Sequence, residues 1–172
     1  MTNCATDEEQ YVEVQGVQIE KVDRFIYLGQ LLTFPRDHGL EIGRRIRAGH
    51  AKFNTYNTFL TSRAVPMKLK RRLFHQCILP AMLYGCETWA TTEAAEMRLA
   101  VAQRRFERRM VGVRLIDGRS NTWLRDTRLK DVVECARRRK WNWASKVSRM
   151  TADRWPKQLV EWRPFNYTRP RG

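Results

Sequence analysis

The side chains with most chemical potential in this chain are cations set beside flat aromatic rings. Arg137-Arg138-Arg139-Lys140 runs into Trp141 and Trp143, Lys68-Leu69-Lys70-Arg71-Arg72 forms a second cluster, and Arg44-Arg45 a third. A guanidinium presents a planar fork of donors that matches phosphate, and an indole offers a face on which an unpaired base can stack. This is binding chemistry for a polyanion; the plainer alternative is a set of solvated helix faces. Groups suited to making and breaking bonds are scarce. The three histidines have no acid or nucleophile partner in sequence, so no catalytic role is expected of them. Cys4, Cys77, Cys86 and Cys135 show no C-x-x-C spacing, and His75-Gln76-Cys77 is the one close His/Cys pair. A zinc site needs a second local pair, so free thiols in a reducing compartment are expected.

The charge is unevenly distributed. Residues 1–35 hold two basic and six acidic side chains, whereas residues 36–172 hold 31 basic and 12 acidic ones. The whole chain of 172 residues has a formal charge of +15, and its 42% apolar content suffices for a packed core. Nucleic acid is favoured over an anionic membrane as partner. No run of apolar residues is long enough to span a bilayer, and the polar start offers no signal-peptide core. The expected location is the nucleus or cytoplasm, with no secretion and no membrane partner.

The elements that must position these cations follow from periodicity. Val12 and Val14, then Val17 and Ile19, alternate about a Gln15-Gly16 turn, and Phe25, Tyr27 and Gly29 follow. This pattern predicts a hairpin plus one more strand. From Asp37, a plausible cap, the period turns helical. Ile42, Ile46, Phe53, Tyr56 and Leu60 lie inward, and Arg44, Arg45, Arg47 and Lys52 lie on other faces. Gly43 and Gly49 weaken this helix or admit a close neighbour. After Pro66, the stripe Leu69, Leu73, Phe74, Ile78 is expected inward, opposite Lys68, Lys70, Arg71 and Arg72, with a kink or break near Leu79 caused by Pro80. Thr91 or Thr92 caps a third helix carrying Leu99, Ala102, Phe106 and Met110. A last helix runs from about Leu129 to Met150, with Trp143 inward and Trp141 partly exposed. Trp89, Trp123, Trp155 and Trp162 read as packing residues. The fold class expected is mainly α: a short N-terminal β-hairpin or three-stranded element, then a bundle of about four to five helices.

Five blocks in this order resemble the region after the palm in reverse transcriptases of non-LTR retrotransposons. Phe25-Ile-Tyr-Leu-Gly29 is similar to the family's primer-grip element, and Ile42 to Arg47 to its Glu-Ile-x-x-Arg-Ile helix. Leu79-Pro-Ala-Met-Leu-Tyr-Gly-Cys-Glu-Thr-Trp89 is the most specific match, to Leu-Pro-x-Leu-Leu-Tyr-Gly-x-Glu-x-Trp. Arg105-Phe-Glu-Arg-Arg-Met-Val-Gly112 and Arg137-Arg-Arg-Lys-Trp-Asn-Trp143, with Val147, Arg149 and Met150, resemble two later blocks. The departure is equally telling. The family's polymerases hold Mg²⁺ on a palm Asp-Asp turn, and this chain has no Asp-Asp pair.

The resemblance therefore implies a non-catalytic fragment, with no cofactor of its own although the parent polymerase uses Mg. It divides the chain into a disordered N-terminus (1–10), a palm-derived β element (11–34), a basic thumb-like helical domain (36–150) and a basic Pro/Arg-containing extension (151–172). The partners implied are RNA or DNA as a template–primer duplex, together with the missing fingers and palm. A stand-alone, domesticated nucleic-acid-binding protein is the alternative. The expected contacts are Tyr27, Leu28 and Gly29 at the primer grip; Arg44, Arg45, Lys68, Lys70 and Arg71 on the helices; and Arg137, Arg138, Arg139, Lys140 and Trp141 on the last helix.

Overall fold

The computed structural model describes residues 12–162. The readings for residues 1–10 and for the stretch from Arg163 onward lie outside them. Strand β1 (Val12–Val14) pairs antiparallel with β2 (Val17–Ile19), and β3 (Arg24–Tyr27) with β4 (Gln30–Thr33). Val14 faces Val17 and Tyr27 faces Gln30, so Gln15-Gly16 and Leu28-Gly29 are two-residue turns. All four turn residues have positive φ: 53° and 77° in the first turn, 47° and 75° in the second. Such primed turns match the right-handed twist of the strands they join. The element is thus two separate hairpins rather than a hairpin plus one strand. The turn before the fourth strand carries no sequence signal, because Leu28 stands where Asn or Asp usually announces it.

The helical body follows the sequence pattern closely. Asp37 caps α1 (His38–Thr55), its Oδ1 accepting the Gly39 N–H at 2.7 Å. Helix α2 (Asn57–Thr61) continues it and buries Leu60. Helix α3 (Met67–Leu73) passes into a π-helical turn (Phe74–Ile78) and then α4 (Leu79–Met82). Proline lacks an N–H, and its ring crowds the carbonyl four residues back. The widened turn, in which the Leu79 N–H reaches the Phe74 carbonyl, absorbs Pro80 without ending the helix. Gly85, with φ of 71°, reverses the chain into a short 3₁₀ turn at Cys86–Thr88. Thr92 caps α5 (Glu93–Val111), and Asp131 caps α6 (Val132–Ser148) by accepting the Val133 and Glu134 N–H groups. That cap sets the start of α6 three residues later than the periodicity suggested. Helix α7 (Trp155–Glu161) follows. The chain is mainly helical behind a short β element, as expected.

The core joins all four main helical segments. Phe53, Phe74 and Phe106 cluster, with ring centres of Phe106 5.0 Å from Phe53 and 5.9 Å from Phe74. Gly49 lets α1 touch α4: a Cβ there would lie 2.4 Å from Met82 Cγ. Burying such side chains supplies roughly 1.5–3 kcal/mol each relative to exposure.

On α3 the inward reading of Leu69 and the outward reading of Lys70 are both corrected. Leu69 is exposed and Lys70 is only 4% exposed. The reason lies at the end of α5, whose last carbonyls lack helical partners. Lys70 Nζ donates to the Met110 carbonyl at 2.7 Å, closing that end with a cation where the helix dipole favours one. Trp143 is 39% exposed rather than inward, and Trp155 and Trp162 are exposed rather than packed, whereas Trp89 is buried as expected.

Candidate nucleic-acid interface

The tip of the β3–β4 hairpin is held by side chains from α1 and from the Gly85 turn. The Tyr84 hydroxyl donates to the Leu28 carbonyl at 3.0 Å, and Arg44 and Arg45 both donate Nη2 to the Gly29 carbonyl. Glu41, 1% exposed, binds both arginines through Nε at 2.8 and 2.7 Å and accepts the Leu31 N–H at 2.9 Å. Burial alone would raise this carboxyl, yet the bonds from Arg44, the Leu31 N–H and Arg45 outweigh it and hold the group below its ordinary value. The Arg45 guanidinium lies 4.5 Å from the centre of the Tyr84 ring, and Gln30 Nε2 donates to Thr88 Oγ1 at 2.8 Å. So Arg44 and Arg45 are not outward-facing charges as expected. They are mostly buried ties between the hairpin and the body, while the side chains of Tyr27 and Leu28 remain exposed.

The last-helix patch is likewise partly consumed. Arg137 pairs with Glu96 on α5, Arg139 Nη1 donates to the Leu83 carbonyl at 3.1 Å, and Lys140 Nζ to the Trp89 carbonyl at 2.9 Å. These bonds dock α6 on its neighbours. Arg138 has only a loose 3.9 Å pair with Glu134, and Trp141 is 76% exposed. On α3, Lys68 is exposed and Arg71 half-buried, with Lys70 withdrawn inside.

The α1/α5 face differs. The two helices run parallel, with Arg98 beside Gly39 and Gly43, and Arg109 beside Asn54 and Asn57. Arg98, Arg105 and Arg109 occupy positions i, i+7 and i+11 of α5. These fall on one stripe, separated by about 10 and 6 Å along the axis. A Cβ built on Gly43 would lie 2.9 Å from Arg98 Nη2 and 3.9 Å from Arg47 Nη1, so two guanidiniums converge there. Among the described residues, none of Arg47, Arg98, Arg105 and Arg109 pairs with a carboxylate; the cations that do are Arg44, Arg45, Arg104, Arg137, Arg138 and Lys157. A groove of about 330 Å³ runs between the helices, lined by Ile46, His50, Met97, Arg98, Val101 and Arg105 among others. The His50 imidazole is held below its ordinary value by burial and then by the charges of Arg105 and Arg109. Sequence reasoning met Arg105 and Arg109 only within the Arg105–Gly112 block and did not join them to Arg98. The 7 + 4 spacing from Arg98 was the signal for a stripe.

No group of three or more His, Cys, Asp or Glu side chains among the described residues could hold a metal ion. Cys86 is buried, and burial is the first cause pushing its thiol up to about 11, which favours the protonated form at neutral pH. No described helix is long and apolar enough to cross a membrane.

The chain is related to a transposon-derived protein. It is 34% identical over 158 residues to a Caenorhabditis elegans protein described as "Putative uncharacterized transposon-derived protein F52C9.6". The alignment covers 88% of this chain and 56% of that relative, so the chain spans about half of the relative's length. No protein-family model matches the chain, and no solved structure matches it.

Proposed function

We propose that the chain is a non-catalytic region of a retrotransposon reverse transcriptase, and that it lies along a template–primer duplex of RNA or DNA. The observation that carries this reading is the α1/α5 face, where Arg47 and Arg98 converge at Gly43 and Arg105 follows, without carboxylate partners. Like charges crowd there at an energetic cost that a row of phosphates would relieve. A parallel helix pair presenting spaced guanidiniums contacts backbone and positions a duplex without reading its sequence. The transposon-derived relative supports the lineage. The hairpins support the idea of a piece of something larger: Val14, Val17, Ile19, Phe25, Ile26 and Tyr27 are all exposed, as strands would be when lifted off the rest of a palm. The reading gives the chain no catalytic work, because the buried carboxylates Glu41 and Glu107 are spent on Arg44 and Arg45 and on Gln103 and Arg104. A stand-alone nucleic-acid-binding protein would use the same face.

Titration of the purified chain with a blunt RNA–DNA hybrid across a salt series tests this. Each neutralised phosphate contributes about −0.9 to the slope of log K against log salt, so about six contacts give roughly −5. Arg47→Ala with Arg105→Ala, both at exposed positions, is expected to bring the slope to about −3.6 and to weaken binding about tenfold at 100 mM salt. An unchanged slope in the double variant removes this face from the interface, and absence of any salt-sensitive binding ends the reading.

A further inference from the structure

We propose that the groove between the Cys86–Thr88 turn and α6 holds one unpaired nucleotide at the end of the bound duplex. This deepens the duplex reading and rests on it. The groove has a volume of about 400 Å³, in the range of small-ligand sites and far too small for a double helix. One wall is the stripe Arg139, Asn142, Trp143 and Lys146, which are i, i+3, i+4 and i+7 on α6; the other is Glu87 and Thr88. Each part of a nucleotide finds a counterpart. Trp143 is partly exposed and supplies a stacking face. Lys146 has no carboxylate partner among the described residues and is the cation free to meet phosphate, whereas Arg139, tied to the Leu83 carbonyl, frames the wall. The Asn142 amide and the Glu87 carboxylate offer both donors and acceptors to a base edge. The Thr88 hydroxyl is already committed, donating to the Gly85 carbonyl at 2.9 Å and accepting from Gln30 at 2.8 Å. The Gln30 bond ties the groove rim to the β3–β4 hairpin. Trp141, although more exposed, does not line the groove and serves as an internal control.

The test compares three hybrids on the full chain: blunt, with a four-nucleotide overhang, and with the same overhang made abasic. The base-bearing overhang is expected to raise affinity about tenfold over blunt, and the abasic overhang much less, because stacking on an aromatic face accounts for the difference. Trp143→Ala should erase the gain while leaving blunt-hybrid affinity unchanged, and Trp141→Ala should leave the gain intact. Asn142→Ala with Lys146→Ala, which spares the aromatic, should also erase most of it, so a folding defect in Trp143→Ala would not leave the question open. Equal gains from base-bearing and abasic overhangs, or a gain removed by Trp141→Ala and not by Trp143→Ala, overturn the proposal. Binding of the blunt hybrid without any overhang gain sinks this inference and spares the duplex reading. Absence of blunt binding sinks the duplex reading, and the groove is then judged by single-stranded against abasic oligonucleotide on the same variants.

Discussion

The hairpin joint and the α1/α5 face use the same residue type for opposite ends. At the joint, Arg44 and Arg45 share one buried carboxylate and one backbone carbonyl, so both guanidiniums have their donors engaged. On the α1/α5 face, Arg47, Arg98 and Arg105 have none among carboxylates. A count of basic residues treats the two sites alike. What separates them is the position of the acid: Glu41 sits three and four residues before the joint arginines on the same helix, within reach of both. Arginine adjacent to a buried acid is architecture, and arginine without one is a candidate for an external anion.

Glu41→Ala breaks that distinction most sharply. It leaves two arginines and the Leu31 N–H without their acceptor in a nearly closed site, and removal of one partner of a buried pair costs about 3 kcal/mol or more. Urea denaturation should show that loss, together with detachment of the β3–β4 hairpin in amide exchange. Because the folded-state carboxyl lies below its ordinary value, its stabilisation is present above the unfolded value of 4.5 and is lost as pH falls through the folded one. The wild-type joint should therefore loosen in acid, and the variant should lack that part of the pH dependence. A loss below 1 kcal/mol would place the strength of the joint elsewhere.

Much of the architecture was legible because local signals agreed with the packing. Asp37 and Thr92 cap where they were read, and Pro80 disturbs the helix where it must. Ile42, Phe53, Leu99 and Phe106 are buried as their spacing requires. The binding residues were less legible, because exposure depends on partners distant in sequence. Lys70 looks like its neighbours Lys68 and Arg71 until the end of α5 arrives over it. Arg139 and Lys140 look like free charges until the carbonyls of Leu83 and Trp89, some fifty residues away, come within reach. Conversely, Arg47 and Arg98 become neighbours only when α1 and α5 pack in parallel at Gly43.

Leu28 offers an intermediate effect at the joint itself. It stands at φ of 47° with its side chain largely in solvent, so it gains little from burial and bears the strain of a left-handed conformation. Leu28→Asn should stabilise the chain by about 0.5–1 kcal/mol, since Asn suits the first position of such a turn and the Tyr84 bond goes to the backbone. If the exposed leucine is retained for contact with nucleic acid, the same variant should bind the hybrid more weakly while being harder to denature. Gain in stability with unchanged binding would assign Leu28 to neither role.

The smallest effect lies on the other side of the comparison, at His50. Its imidazole is held low by burial first and then by Arg105 and Arg109, and its ring centre is 4.5 Å from that of Phe106. As pH falls below 6.5, the unfolded chain takes up this proton before the folded one. The stability His50 contributes is thus present above 6.5 and lost as pH falls through the folded-state value. Arg105→Ala removes one repelling charge and should raise the His50 value in an NMR titration. His75, held low by burial and by Lys130 and Arg71, should not move. A phosphate backbone on the α1/α5 face must act in the same direction as the variant, because it offsets the guanidiniums. Bound hybrid should therefore raise His50 selectively, and by linkage affinity should increase slightly from pH 7.5 to 6. A shift of His75 with His50 unmoved would transfer the anion to the α3 side and reverse the contrast between joint and face on which the assignment stands.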